Sequence, residues 1–189
     1  MRKTTILLLP LLCNFNFTQA QFYKSILPPD AFSDSLSIIV QDFIKNFATI
    51  EGMQLASEGE KDVYNSTATI PGALHCSIFR FHSLEDTTAT WQAILYEGEV
   101  YDDAVKIYKK NFRLLKKSRI KGVTQGIGSF NGELQIPQEN VRFTTTQLKL
   151  NTDDVSFNRF FAEIEMIGSY NGWEVHLNLY NKKNDTEKY

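Results

Sequence analysis

Apolar residues recur with helical spacing at Phe32, Leu36, Ile39, Val40, Phe43, Phe47 and Ile50, while Ser33, Ser37, Gln41 and Lys45 fall on the opposite side. The pattern predicts an amphipathic helix. Pro28-Pro29-Asp30 stands at its start after an extended lead-in over 21–27, and Gly52 stands where a C-terminal cap belongs. A polar link, 57–61, leads into three strand-like stretches rich in Thr, Ile, Phe and Trp: 63–70, 74–82 and 90–97. Pro71-Gly72 and the loop 83–88 divide them. A second helix begins near Tyr101, with Tyr101, Ala104, Val105, Tyr108, Phe112 and Leu115 as its apolar stripe. Its acidic start (Glu97, Glu99, Asp102, Asp103) and basic end complement a helix macrodipole.

Residues 122–132 carry four glycines and read as a loop, with a hairpin turn at Asn131-Gly132. Strands resume over 141–150, 160–169 and 173–181. Tyr170-Asn171-Gly172-Trp173 contains the pair favoured in two-residue type I′ turns. That turn predicts Met166 opposite Leu177, Ile164 opposite Leu179 and Gly168 opposite Val175, one apolar face turned inward. Ile167, Glu165 and Glu163 then oppose His176, Asn178 and Tyr180 on the other face. The charged tail 182–189 is expected to fray.

These patterns together specify an α+β class: an antiparallel β-sheet with two amphipathic helices packed on one face. The element order suggests a tandem α-β-β-β duplication. Phe43, Ile39 and Leu36 align with Phe112, Tyr108 and Val105, and an Ile-Pro pair follows each helix (Ile70-Pro71, Ile136-Pro137). The layout resembles tandem helix-plus-meander modules such as the secreted β-lactamase inhibitory proteins, a likeness of shape that transfers no function.

The N-terminus changes the setting. Arg2 and Lys3, the apolar run Ile6 to Cys13 and the polar stretch ending Thr18-Gln19-Ala20 read as a signal peptide over 1–20, cleaved after Ala20. The run is eight residues long and contains Pro10. About 20 residues are needed to cross a bilayer as a helix, so no transmembrane anchor is expected after cleavage. Acylation at Cys13 would require small residues where Leu11 and Leu12 stand. A single domain over 21–181 is therefore expected to be exported, to the periplasm or the extracellular space. Cleavage removes two of 20 basic residues against 22 acidic ones, leaving a formal charge of −4. That balance disfavours nucleic-acid binding. Cys76 is then the sole cysteine, so packing rather than a disulfide must hold the domain, as suits a bacterial envelope protein.

No zinc-hydrolase, nucleophile-elbow, phosphate-loop or Cys-x-x-Cys motif is present, and no cofactor or metal is implied. Gly126-Ile127-Gly128 lacks the next glycine of a dinucleotide loop and reads as a turn. His75 and Cys76 are adjacent in a strand and point to opposite faces, so Cys76 is expected in the core beside Leu74 and Ile78. Trp91 and Trp173 are likewise read as core.

Two surfaces remain as candidates. Glu163, Glu165, Glu174 and His176 share the outward face of the last hairpin, where they are either the wet side of a sheet or acid–base and metal-binding groups. Lys106, Lys109, Lys110, Arg113, Lys116, Lys117, Arg119 and Lys121 place eight positive charges in sixteen residues, with no acid from Ala104 through Gly132. They form either a solvated helix face or a contact for an anionic surface or an unknown protein. The function expected is that of an exported, non-enzymatic binding domain acting through the sheet face or the basic helix. The competing readings are an inhibitor or immunity-type protein that covers a partner enzyme, and a hydrolase or metal enzyme built on the hairpin face.

Overall fold

Alternation of apolar and polar residues along the strands yields one antiparallel sheet with a buried and an open face. The computed structural model describes residues 30–84, 86–123 and 126–182. Helix α1 (Asp30–Asp42) passes through a 3-10 turn (Phe43–Lys45) into four strands, β1 (Glu51–Glu58), β2 (Lys61–Ser66), β3 (His75–Phe81) and β4 (Ala89–Gly98). Helix α2 (Tyr101–Lys117) precedes five more, β5 (Arg119–Ile120), β6 (Gly128–Asn131), β7 (Phe143–Asn151), β8 (Phe160–Ser169) and β9 (Gly172–Asn181). The nine strands form one sheet in the order β1-β2-β3-β4-β9-β8-β7-β6-β5, so the last strands of two helix-plus-meander runs pair at its centre.

Both helices cover the same face, as the amphipathic stripes required. Phe32, Leu36, Ile39 and Val40 of α1 and Ala104, Tyr108 and Leu115 of α2 join one core with Cys76, Ile78, Trp91, Ala93, Leu148, Ile164, Met166, Val175, Leu177 and Leu179 of the sheet. Two pairs of polar side chains buried there are hydrogen-bonded, as a low-dielectric interior favours. The Trp91 indole donates to Ser66 Oγ at 2.9 Å, and the Tyr108 and Thr146 hydroxyls lie 2.6 Å apart. Phe43 packs 4.6 Å from Phe160, and Tyr101 packs 5.0 Å from Trp173, between ring centroids. Trp91 is fully buried and Trp173 is packed against the core, as expected of both.

The first helix is shorter than its pattern predicts, and the first meander has four strands rather than three. Asn46 and Phe47 adopt left-handed φ of 54° and 58°, ending the helical run. Asn46 fixes this bend by donating to Thr87 O (3.0 Å) and accepting from Ala89 N–H (2.7 Å). The buried Asp42 carboxylate accepts from Thr49 N–H (3.0 Å), Ile50 N–H (3.3 Å) and the Thr49 hydroxyl. Phe47 and Ile50 are therefore buried from a turn, not from a helix face. Gly52 is not a cap: it lies in β1, where a Cβ would stand 2.9 Å from Asn65 O. Leu74 precedes β3 and is exposed, although Cys76 and Ile78 are buried as expected.

The last hairpin is also corrected. Met166 pairs with Val175 and Ile164 with Leu177, two residues away from the predicted register, and Gly168 faces Trp173. The two-residue turn is Tyr170-Asn171, flanked by the pair Ser169↔Gly172, and neither turn residue has the positive φ of a type I′ turn. Gly172 belongs instead to β9, at φ 138°, where a Cβ would meet Gly98 O at 2.5 Å. Its missing side chain lets β9 approach the end of β4. Because the slip is an even number of residues, every side chain keeps its predicted face.

β5 and β6 pair through Arg119↔Ser129 and Ile120↔Gly128, so their connection precedes Gly128 and does not turn at Asn131-Gly132. Each Ile-Pro pair falls between the second and third strands after its helix, but the first helix is followed by four strands and the second by five, and a tandem duplication is not established. The signal-peptide region, the lead-in 21–27 and the tail from 183 lie outside the described residues. Among the described residues no helix is long and apolar enough to cross a membrane.

Candidate functional site

The face of the sheet away from the helices carries the second half of each alternation. Gln92 lies opposite Asn178 across β4 and β9, Asn178 opposite Glu163 across β9 and β8, and Glu163 opposite Gln147 across β8 and β7. On the β3 side, Phe79 faces Thr90 and Phe81 faces Lys61. The sheet hollows here into a cleft of about 580 Å³, lined by these residues and by Tyr180. Residues more than a hundred positions apart meet on rigid strands because β4 and β9 pair at the centre.

Two sets of hydrogen bonds hold the floor. Gln92 Nε2 donates to Asn178 Oδ1 at 2.9 Å, and Asn178 Nδ2 donates to Glu165 Oε2 at 2.8 Å. Gln147 Nε2 reaches both Glu163 Oε2 (2.6 Å) and the Tyr180 hydroxyl oxygen (2.9 Å), while the Tyr180 hydroxyl donates to Glu163 (3.2 Å). Lys61 Nζ lies 5.5 Å from the centre of the Phe79 ring, within cation–π range. His176 and Glu174 pair at 2.9 Å beside this set. His176 and Asn178 are 8% and 7% exposed although neither helix covers this face, so their neighbours on adjacent strands hold them in place.

Burial pushes the Glu165 carboxyl above the usual carboxylate range; the Asn178 amide opposes this, and the negative charge of Glu163 adds to it. Burial, with the Glu163 charge, also pushes the Tyr180 hydroxyl far above its ordinary value, so at neutral pH Tyr180 is a fixed proton donor to Glu163. The Glu165 shift predicts a pH dependence. A carboxyl whose folded pKa exceeds the unfolded value of about 4.3 binds its proton more tightly in the folded chain. Its contribution to stability therefore falls as pH rises from that value through the raised folded one. Glu165→Gln keeps the shape and removes the titration. The stability difference between variant and parent, measured by urea unfolding at pH 4 and pH 8, is expected to move in favour of the variant at the higher pH. A difference independent of pH would refute the assignment.

Of the residues singled out in the sequence, Glu163, Glu165, Glu174 and His176 do share one face, with Glu165 directly opposite His176. Only Glu163 lines the cleft. Among the described residues no group of three His, Cys, Asp or Glu could hold a metal ion. Cys76 is buried, its thiol pushed up by desolvation against a weaker backbone hydrogen bond from Ile70, while His75 is exposed. The basic series Lys106, Lys109, Lys110, Arg113, Lys116 and Lys117 lies on α2, on the far side of the sheet. The two candidate surfaces are thus separate.

Sequence reasoning missed Lys61, Phe79, Phe81, Thr90, Gln92 and Gln147, and it placed Asn178 and Tyr180 on the outward face without giving them a role. One signal was available. In His75–Phe81 the alternation that buries Cys76 and Ile78 must present Phe79 and Phe81 on the polar side, and large rings on a wet face mark a contact surface.

No protein family matches the chain, and neither the curated proteins nor the solved structures include a match.

Proposed function

We propose that this protein is an exported, non-catalytic binding domain that holds a polar ligand in the cleft on the open face of its sheet. The observation that carries this reading is the pairing of Phe79 and Phe81, half-buried rings on the face away from both helices, with an amide and carboxylate floor already tied by hydrogen bonds. Such a floor is preorganised, so little ordering cost attends binding. The rings supply apolar contact, and Gln92, Gln147, Thr90 and Glu163 supply directional groups. Export is supported by the signal-like pattern of Arg2, Lys3 and Ile6 to Cys13. The hydroxyl that meets the cleft carboxylate, Tyr180, is held firmly protonated by burial and by the Glu163 charge, which favours binding over nucleophilic chemistry.

Nuclear magnetic resonance provides the test, because the side-chain amides of Gln92, Gln147 and Asn178 report directly from the floor. Titration with mixed soluble oligosaccharides and with mixed short peptides is expected to shift these amide signals in at least one series. For the ligand so found, Phe79→Ala is expected to weaken binding by about tenfold or more, the loss typical of an aromatic anchor. Shifts confined to other surfaces, or none with either series, would refute the proposal.

A further inference from the structure

The charges of this chain are strongly segregated. Eight of its 20 basic residues lie between Lys106 and Lys121, leaving twelve basic residues against 22 acidic ones, a formal charge of −10, for everything else. On α2 the residues 106, 109, 110, 113, 116 and 117 recur at intervals of three and four and so form one stripe, about 16 Å long at 1.5 Å per residue. The opposite side of α2 is committed to the core through Ala104, Tyr108 and Leu115. Lys106 pairs with Asp103 at 2.8 Å and Lys116 donates to Asn131 at 2.8 Å. Lys109, Lys110 and Arg113, at the middle of the stripe, have no ion-pair or hydrogen-bond partner among the described residues.

The stripe is neither a groove nor an apolar patch. None of the clefts at the hairpin tip, on the open sheet face or beside the 3-10 turn includes a residue of α2. No large apolar side chain of α2 is among the exposed ones, so the aromatic or aliphatic anchor that centres a protein–protein interface is absent. A convex line of positive charges with no recess fits a planar, diffuse array of negative charge better than a single shaped partner. It also has nothing to insert into hydrocarbon, so contact would be electrostatic and reversible. We infer that α2 docks the protein onto an anionic phospholipid surface through Lys106, Lys109, Lys110, Arg113, Lys116 and Lys117. Because α2 lies on the covered face of the sheet, docking leaves the cleft facing away from the membrane. This inference does not depend on the cleft's having a ligand.

The test is sedimentation of the full chain with vesicles of phosphatidylcholine alone and of equimolar phosphatidylcholine and phosphatidylglycerol. Binding to the anionic vesicles is expected to exceed binding to the neutral ones by about a hundredfold or more at about 0.1 M salt, and to collapse near 0.5 M as screening shortens the reach of each charge. The variant combining Lys109→Gln, Lys110→Gln, Arg113→Gln and Lys116→Gln is expected to lose about a hundredfold or more in affinity for the anionic vesicles. A variant with Lys109→Arg, Lys110→Arg and Lys116→Arg keeps it, which separates charge from fold. Phe79→Ala also keeps it, which separates docking from the cleft. Equal binding to both vesicle types, no loss in the glutamine variant, or retention only by an acidic polysaccharide or by nucleic acid would overturn the inference.

Discussion

Replacing Trp91 with alanine is expected to lower the stability of the folded chain by about 3–5 kcal/mol, the range for deleting a large buried aromatic side chain. Trp91 is wholly inaccessible, at the centre of the sheet on β4, and its indole N–H is bonded to Ser66 Oγ at 2.9 Å. The alanine variant loses the apolar contact, leaves a cavity and removes the donor to the buried Ser66 hydroxyl, which keeps its own bond to Ala68 O. Domains of this size are typically stable by only about 5–15 kcal/mol, so the variant is expected to be marginal. Urea unfolding with circular dichroism measures the loss. Trp91→Phe, which restores most of the volume but not the donor, is expected to recover the larger part of it. A loss below about 1 kcal/mol for Trp91→Ala would mean that the inner face is not packed as described.

Gly172→Val is expected to cost about 3 kcal/mol, combining backbone strain with overpacking. The residue holds φ 138°, where side chains are disfavoured, and a Cβ would lie 2.5 Å from Gly98 O and 2.9 Å from Gly98 C. Both obstacles are backbone atoms of the neighbouring strand, so no rotamer change relieves them. Gly126→Ala meets nothing within 4 Å and is expected to cost less than about 0.5 kcal/mol. Asn171→Ala is expected to be similarly mild, because the turn does not use the left-handed conformation that asparagine tolerates. A type I′ turn at Asn171-Gly172 would make Asn171→Ala costly as well, so thermal midpoints of the three variants decide between the two registers.

The hairpin shows why some features were legible and others were not. Side chains alternate strictly along a strand, so Ile164 shares a face with Met166 and Val175 with Leu177, and their common apolar character turns both pairs inward for any register of the same parity. The partner of each residue depends on the turn, and there Gly172 answered to Gly98, a residue more than seventy positions away. The end of α1 shows the same division. Phe47 and Ile50 fit a helical period and are buried, but Asn46 bonds Thr87 and Ala89 and bends the chain. A local pattern registers burial; it cannot register the distant backbone that redirects the chain.

The candidate site was legible in part for the same reason. Glu163, Glu165, Glu174 and His176 lie on two strands joined by a short turn, so alternation alone placed them on one outward face. Lys61, Phe79, Gln92 and Gln147 come from four different strands, and only the pairing of β4 with β9 brings them to one cleft.

By itself the sequence determined the class of the fold, the two helical stripes, the inner and outer residues of the strands and the basic character of α2, because all of these follow from periodicities of a few residues. The tertiary structure decided the order of the nine strands, the register of the hairpin, the extra strand after α1, and the separation of the cleft from the basic helix onto opposite sides of the sheet. Those depend on contacts between residues far apart in the chain, whose closure is governed by packing of the whole molecule rather than by any local preference.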